Sequence, residues 1–522
     1  MAPFFVSAVQ EGWRVFTPLE RRNMAFYILG IMIYKFGLEA FNGSIVALAT
    51  NRYDYDAMRT KTTAKTFQRV GLLVGLNQAC QCVGSILIAP LIRRFPSRVV
   101  LSSAVIMFAL FSALLLIIDA STGGTFVPAA FRNNHPDHDF YYYGRYNTDG
   151  MIPVYCIAGI AYGMVELMRR VIPRDIVGGN VKKLRHLDAL VHIFYEVSGT
   201  SGAFCTALVL IPYFGNNYSF LITPVCFALA AVFWFLLADE TFKGQNVEMP
   251  ERQPPYIKAV TVGVWLFMES IWTGARIIFT SRKFIWLVPG YSIALYAHRY
   301  LENAVAPAIA RRYLGNSAWS QIIVGGSNLG ELLGALFVIF FTNLVTTPVP
   351  WLRIDAVMLL TTWYLPFWRP SVSQVKFAWV AAASFIPISF GWAAGDVSLA
   401  AYIQATLARV ESKTKNVSAL GALMAFLYST YIILYAITPP ILGSYIDHVY
   451  SKTGGSDHGG NIYDAIRNVA CVQFTIISGL VFMSTFVPQG AFALNPKMLY
   501  SEDLEEEIPG LERVSSRDDL GK

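Results

Sequence analysis

An all-α polytopic membrane protein, with twelve transmembrane helices arranged as two pseudo-symmetric six-helix bundles, is the fold class that this sequence predicts. Three observations predict it. The 522 residues are 55% hydrophobic and only 14% charged, with a mean hydropathy of +0.46, whereas a soluble chain carries about a quarter of its residues charged. Apolar runs of roughly 20 residues recur, the length that crosses about 30 Å of hydrocarbon. Similar polar residues also punctuate the early and the late runs at similar places.

Taken in order, the first 23 residues are polar and include Glu11, Arg14, Glu20, Arg21 and Arg22. They have no compact apolar core, so no cleavable signal peptide is expected. The spans predicted next are 24–49, 67–92, 99–118, 151–172, 189–213 and 217–238, which form an N-terminal bundle over 24–238. A polar segment opens the linker 239–283. Within it, 259–281 is long enough to span, but Glu269 and Arg276 interrupt it, and Lys258, Arg282 and Lys283 flank it. Basic flanks at both ends prefer one side of the membrane, so the segment reads as an amphipathic helix lying on the cytoplasmic interface; a thirteenth span is the alternative. The second set follows at 284–306, 319–343, 351–368, 377–403, 417–443 and 466–488, forming a C-terminal bundle over 284–488, and a charged tail, 489–522, reads as disordered. The loop 119–150, with His135 and His138, reads as solvated rather than as a metal site.

The net charge of +7 reports topology here, and no nucleic-acid partner is expected. The clusters Arg93, Arg94, Arg98 and Arg169, Arg170, Arg174, Lys182, Lys183, Arg185 fall on one side and put both termini in the cytoplasm. Which membrane holds the chain, plasma or organellar, is left open. The six cysteines all lie in apolar runs, so neither a disulfide framework nor a zinc site is expected. No cofactor is called for.

Internal repetition supports two bundles. Leu38-Glu39 in span 1 matches Leu301-Glu302 in span 7, which sets Lys35 on His298. Gln78, Gln81 and Gly84 match Asn328, Glu331 and Gly334 at identical spacing, and Glu166 and Asp396 each follow a small-residue stretch. Duplicated six-helix units of this kind are a transporter architecture. The stretch "GSILIAPLIRRFPSRVVL" (84–101) then resembles the loop signature of the major facilitator superfamily, with Gly84, Arg94, Arg98 and Leu101 at matching positions. Arg93 stands where the signature has Asp, and Pro96 where it has Gly. The resemblance implies a central cavity between the bundles, with spans 3, 6 and 12 toward lipid. No subfamily is assigned.

A charge at mid-bilayer costs about 2.5–3.5 kcal/mol on insertion scales. Lys35 and Glu39, four apart on one helical face, must therefore look into protein or a wet cavity, together with Asn42 and, on span 2, Gln81. Either they are a structural ion pair or they line a solute path. Glu166, His192 and Glu196 fall at similar depth and suit proton coupling; a static network with Arg169 or Arg170 is the alternative. Arg299 and Glu302 are spaced to pair, next to His298; the alternative is that the Arg299 guanidinium binds a substrate carboxylate. Asn328 adds an amide on span 8; Glu331 and Asp396 have no cation nearby in sequence and are the leading candidates for groups that change protonation or meet a cation.

The function expected is a secondary active transporter of a small polar or amphipathic organic solute, working by alternating access with protons as coupling ion. The expected assembly is a monomer in the lipid bilayer. There is no G-x-x-x-x-G-K-[ST] loop for ATP drive, and "HIFYE" (192–196) is not a zinc-protease motif, so an enzyme is not expected. A transport-inactive sensor or scaffold on the same fold is the alternative.

Overall fold

Thr17 starts the first helix. Its hydroxyl accepts from the Glu20 amide at 3.2 Å, and the Glu20 carboxylate accepts from the Thr17 amide at 2.7 Å. This reciprocal cap satisfies two donors that a helix start leaves orphaned, and Pro18 pre-sets the first turn. The computed structural model describes residues 16–92, 94–132, 134–136, 138–177, 181–238, 254–341, 344–407, 410–412, 418–455, 459–500 and 511–513. Arg93, most of the N-terminal segment and tail, and the linker stretch 239–253 lie outside them.

The helices are α1 (Pro18–Thr60), α2 (Thr66–Ile92), α3 (Ser97–Ser121), α4 (Met151–Val177), α5 (Val181–Cys205, continued by a wide turn and Ile211–Phe214), α6 (Ile222–Phe235) and α7 (Tyr256–Thr280). There follow α8 (288–312, interrupted twice), α9 (Ser320–Phe341), α10 (Val349–Leu359), α11 (Val375–Leu407), α12 (Ala419–Lys452) and α13 (Tyr463–Ser484). Ten stretches are long and apolar enough to cross a membrane, and the chain is an integral, multi-pass membrane protein. Nine of the twelve expected spans are among them, and α7 is the tenth. The other three expected spans are helical but short or broken. In α8, wide turns occupy Val288–Ile293 and Leu301–Val305, next to Pro289 and Pro307. A proline has no N–H to return to the carbonyl four residues back, and a wide turn absorbs the misfit. α1 and α12 run well past the expected ends, to Thr60 and Lys452. Val410–Ser412 and Leu511–Arg513 pair as short antiparallel strands.

Two helix crossings use the same device. A Cβ on Gly84 of α2 would stand 1.9 Å from the Ile160 carbonyl oxygen of α4, and one on Gly334 of α9 would stand 2.4 Å from the Phe390 carbonyl oxygen of α11. Only glycine lets the backbones approach so closely. Around the first crossing, Asn77 Nδ2 donates to the Tyr155 carbonyl at 2.7 Å; around the second, the Ser327 and Ser389 hydroxyls bond at 2.6 Å. Helix α6 packs on α1, with Thr223 donating to the Gly37 carbonyl at 2.8 Å and Trp234 to the Tyr27 carbonyl at 3.2 Å.

Two segments depart from expectation. The loop between α3 and α4 is packed rather than simply solvated: Phe140, Tyr142 and Tyr143 are buried. Arg52, at the end of α1, donates to the Gly144 and Tyr146 carbonyls at 3.0 and 2.8 Å and lies over the Tyr146 ring. His135 bonds to Tyr142 at 2.7 Å. Polar and aromatic partners compensate for the loop's exposed-looking composition. Helix α7 does not simply connect. It packs on α2 and α12, with Tyr256 donating to the Leu87 carbonyl at 2.9 Å and Phe279 edge-on to Phe426. Trp265, Met268 and Trp272 are exposed on its other side.

Candidate functional site

Residues from the first and second halves of the sequence enclose a cavity of about 1740 Å³. Its polar wall begins on α1. Lys35 and Glu39 are one turn apart and joined as an ion pair with side chains 10% exposed. The Lys35 ammonium also lies 4.4 Å from the centre of the Tyr195 ring. One turn further on, Asn42 accepts from the Tyr155 hydroxyl at 3.0 Å. On α2, Gln81 bonds to Asn77 and Gln78. On α4, Arg169 holds Glu166 at 2.7 Å. His192 and Glu196 come in from α5.

The opposite wall begins on α8, where Arg299 donates to Glu302 at 2.8 Å. On α9, Asn328 and Glu331 line the cavity, and on α11 Trp392 and Asp396 do so. Twelve of the thirteen candidate interior residues thus line one space. His298 is the exception: it sits behind the wall, 1% exposed, stacked on Trp392 and bonded to Glu331 at 2.7 Å. Its Nε2 also lies 3.5 Å from Glu302. Glu331, which has no cation near it in sequence, therefore has one in space. Glu166, His192 and Glu196 share the cavity without bonding to one another; Glu166 is committed to Arg169.

His298, Glu302 and Glu331 are the described residues whose ligand atoms lie close enough to hold a metal, within 4.8 Å of one another. The imidazole Nε2 already faces both carboxylates and Arg299 holds Glu302, so these ligand atoms are engaged within the cluster.

The cavity reaches one end of the helices, where Arg94, Pro254 and Lys258 line it. Of the loop-motif residues, Arg94 donates to the Pro254 carbonyl at this mouth, Arg98 donates to the Leu237 carbonyl at 2.9 Å beyond the end of α6, and Gly84 is the α2–α4 crossing. α7 contributes Val262, Leu266 and Ser270 to the same wall.

The other end is sealed. Asp54 accepts from Arg311 Nε at 2.7 Å, Arg312 Nη1 and Nη2 at 2.8 and 2.7 Å, and Thr66 Oγ1 at 2.5 Å. Asp447 accepts from the Phe67 and Gln68 amides at 3.1 and 2.9 Å, which caps the start of α2 from the end of α12. Sequence reasoning missed these residues. Asp54 falls outside the predicted span 24–49 because the polar run "NRYDYD" (51–56) ends its hydropathic signal, and Arg311 and Arg312 lie past the predicted end of span 284–306. The signal that existed was a lone acid and a basic doublet, each just past a span end.

No protein-family model matches the chain, and no curated protein matches its sequence. Solved structures match its backbone. A mutant of the nucleoside transporter NupG is 13% identical with a TM-score of 0.53, over 90% of this chain and 100% of that one. A D-xylose-proton symporter is 11% identical with a TM-score of 0.58, over 91% and 98%. The peptide transporter POT in complex with sulfate is 13% identical with a TM-score of 0.54, over 89% and 93%. All three are transporters of the major facilitator type. The fold of this chain is therefore the major facilitator fold, as the 84–101 motif and the duplicated polar positions imply.

Proposed function

We infer that the chain is a secondary active transporter in which two six-helix bundles of six spans each rock about a central site. The observation that carries the reading is the polar cavity itself: its ionisable lining comes from both halves of the sequence, it reaches one end of the helices, and salt bridges between the halves seal the other. A site closed on one side and reachable from the other is what alternating access requires of one of its states. The matched glycine crossings, α2 on α4 and α9 on α11, support twelve spans in two related bundles. By the distribution of Lys and Arg, the mouth at Arg94 and Lys258 is cytoplasmic and the Asp54 seal faces the other side.

The solute is a small polar or amphipathic organic molecule and the coupling ion is the proton. Support for coupling comes from the arrangement of His298 between Glu302 and Glu331, a proton-exchanging group shared by two buried carboxylates, and from a neighbour in fold that is a proton symporter. The purified protein in liposomes, with an imposed pH difference and a panel of organic acids, amines, amino acids, sugars and nucleosides, tests this. Uphill accumulation of a solute that collapses with a protonophore is expected; flux that only ever runs downhill refutes it.

A further inference from the structure

Helices α5 and α9 pack against each other in opposite directions. The Phe204 ring lies 2.4 Å from where a Cβ on Gly325 would be, and Asn328 Nδ2 lies 3.2 Å from where one on Gly199 would be. Residue numbers fall along α5 as they rise along α9. One further turn toward the mouth, three residues on each helix, sets Glu196 opposite Glu331. Both line the cavity. Glu196 is 2% exposed, and its Oε2 has no hydrogen-bond partner.

The nearby cations are committed elsewhere or to Glu331, and Glu196 has no ion-pair partner among the described residues. Lys35 is bonded to Glu39, Arg169 to Glu166 and Arg299 to Glu302. His298 is divided between Glu302 and Glu331. A buried carboxylate with an unpartnered oxygen, beside a second carboxylate in the same wall, favours a further positive charge. The remaining wall suits an organic one. Tyr291, Trp392, Tyr428, Tyr431 and Tyr435 line the same space, and aromatic faces attract alkylammonium ions. Lys35 and Arg169 already show the preference within the protein, lying 4.4 and 4.3 Å from the Tyr195 ring centre.

We propose that Glu196 and Glu331 form a binding site for the ammonium group of an organic cation, which enters from the Arg94 mouth. The assignment names a substrate class for the cavity and so rests on the transport reading, but its test needs no transport. Equilibrium binding of radiolabelled choline, tetraethylammonium and benzyltrimethylammonium is measured on the purified full-length protein in detergent. At least one binds saturably, and the uncharged tert-butyl analogue of choline competes at least tenfold more weakly than choline. Glu196→Gln lowers the affinity at least tenfold while eluting as a monodisperse peak. If that variant does not fold, Glu196→Asp, which retracts the charge without removing it, weakens binding to a smaller extent. Absence of saturable binding by all three cations, equal competition by the uncharged analogue, or unchanged affinity in a folded Glu196→Gln each overturns the proposal. Cation binding without uphill flux in liposomes overturns the transport reading alone; uphill flux of an uncharged solute without cation binding overturns this assignment alone.

Discussion

Asp54→Asn removes one charge and leaves two guanidinium groups facing a neutral amide. The side chains of Asp54, Arg311 and Arg312 are only 4–5% exposed, so the orphaned cations cannot recover their hydration while the seal stays shut. Breaking a buried ion pair by deleting one partner costs about 3–5 kcal/mol. In a state where this end is open the same arginines reach water, so the penalty falls on the sealed state alone. At about 1.4 kcal/mol per tenfold, the balance shifts toward the open state by roughly two to three orders of magnitude. Cys82 lines the cavity and is a ready reporter once the other five cysteines are replaced by serine. In sealed vesicles, a membrane-impermeant maleimide applied from the Asp54 side labels Cys82 at least 100-fold faster in Asp54→Asn. Adding Arg312→Leu, which removes one orphaned cation, slows labelling again. If Asp54→Asn leaves the labelling rate from that side unchanged, the four-bond cluster does not hold the cavity shut and the account of the seal is wrong.

Lys35→Met strands the Glu39 carboxylate in a site where both side chains are 10% exposed, and lowers the thermal midpoint in detergent as expected for a loss of about 3–5 kcal/mol; Lys35→Met/Glu39→Gln recovers most of it, and a double variant no better than the single one refutes the pairing. Burial raises the Tyr142 and Tyr146 hydroxyls above the ordinary tyrosine range. Unfolded tyrosine ionises near pH 10, so the stability their burial confers is complete below about pH 10 and is lost as pH climbs toward the folded values. Tyr142→Phe therefore leaves the phenolate absorbance of the folded protein unchanged up to about pH 11; a decrease by one tyrosine refutes a buried, neutral loop.

The spans and their polar interiors were legible because hydropathy is read by lipid directly: a run is either apolar enough or it is not. Lys35 and Glu39 announced themselves for the same reason, since a charge at mid-depth has few places to go. Depth and periodicity place a residue on a helix but do not say which helix faces it. That is why Glu331 read as having no cation nearby when His298 lies 2.7 Å away, and why Glu166 was grouped with His192 when Arg169 holds it. The seal was hidden for a different reason. Asp54 and Arg312 are separated by 258 residues, and each looks alone like an ordinary end-of-span charge. α7 was ambiguous because its two faces meet different surroundings, cavity and helix on one and exposed tryptophans on the other, so no average over its sequence describes it.

The matched pairs in the two halves argue for a division of labour. Lys35 and Glu39 on α1 occupy the same relative positions as His298 and Glu302 on α8, and both pairs are four residues apart on one helical face. The chemistry differs at one member. A lysine ammonium is a fixed point charge, whereas an imidazole is the side chain most readily used to take up and release a proton. The first pair thus holds its geometry with a fixed charge. The second can lose the charge that ties α8 to α9 through Glu331, and it lies where wide turns at Leu301–Val305 already loosen the helix. On the transport reading, coupling then resides in the second half, at the junction of His298, Glu302 and Glu331, and the first half supplies a rigid counterface. His298→Lys, which copies the first half's permanent charge into the second, tests the asymmetry within the liposome experiment: uphill accumulation is lost while solute binding persists, and unchanged pH-driven accumulation in that variant excludes His298 as the switching group.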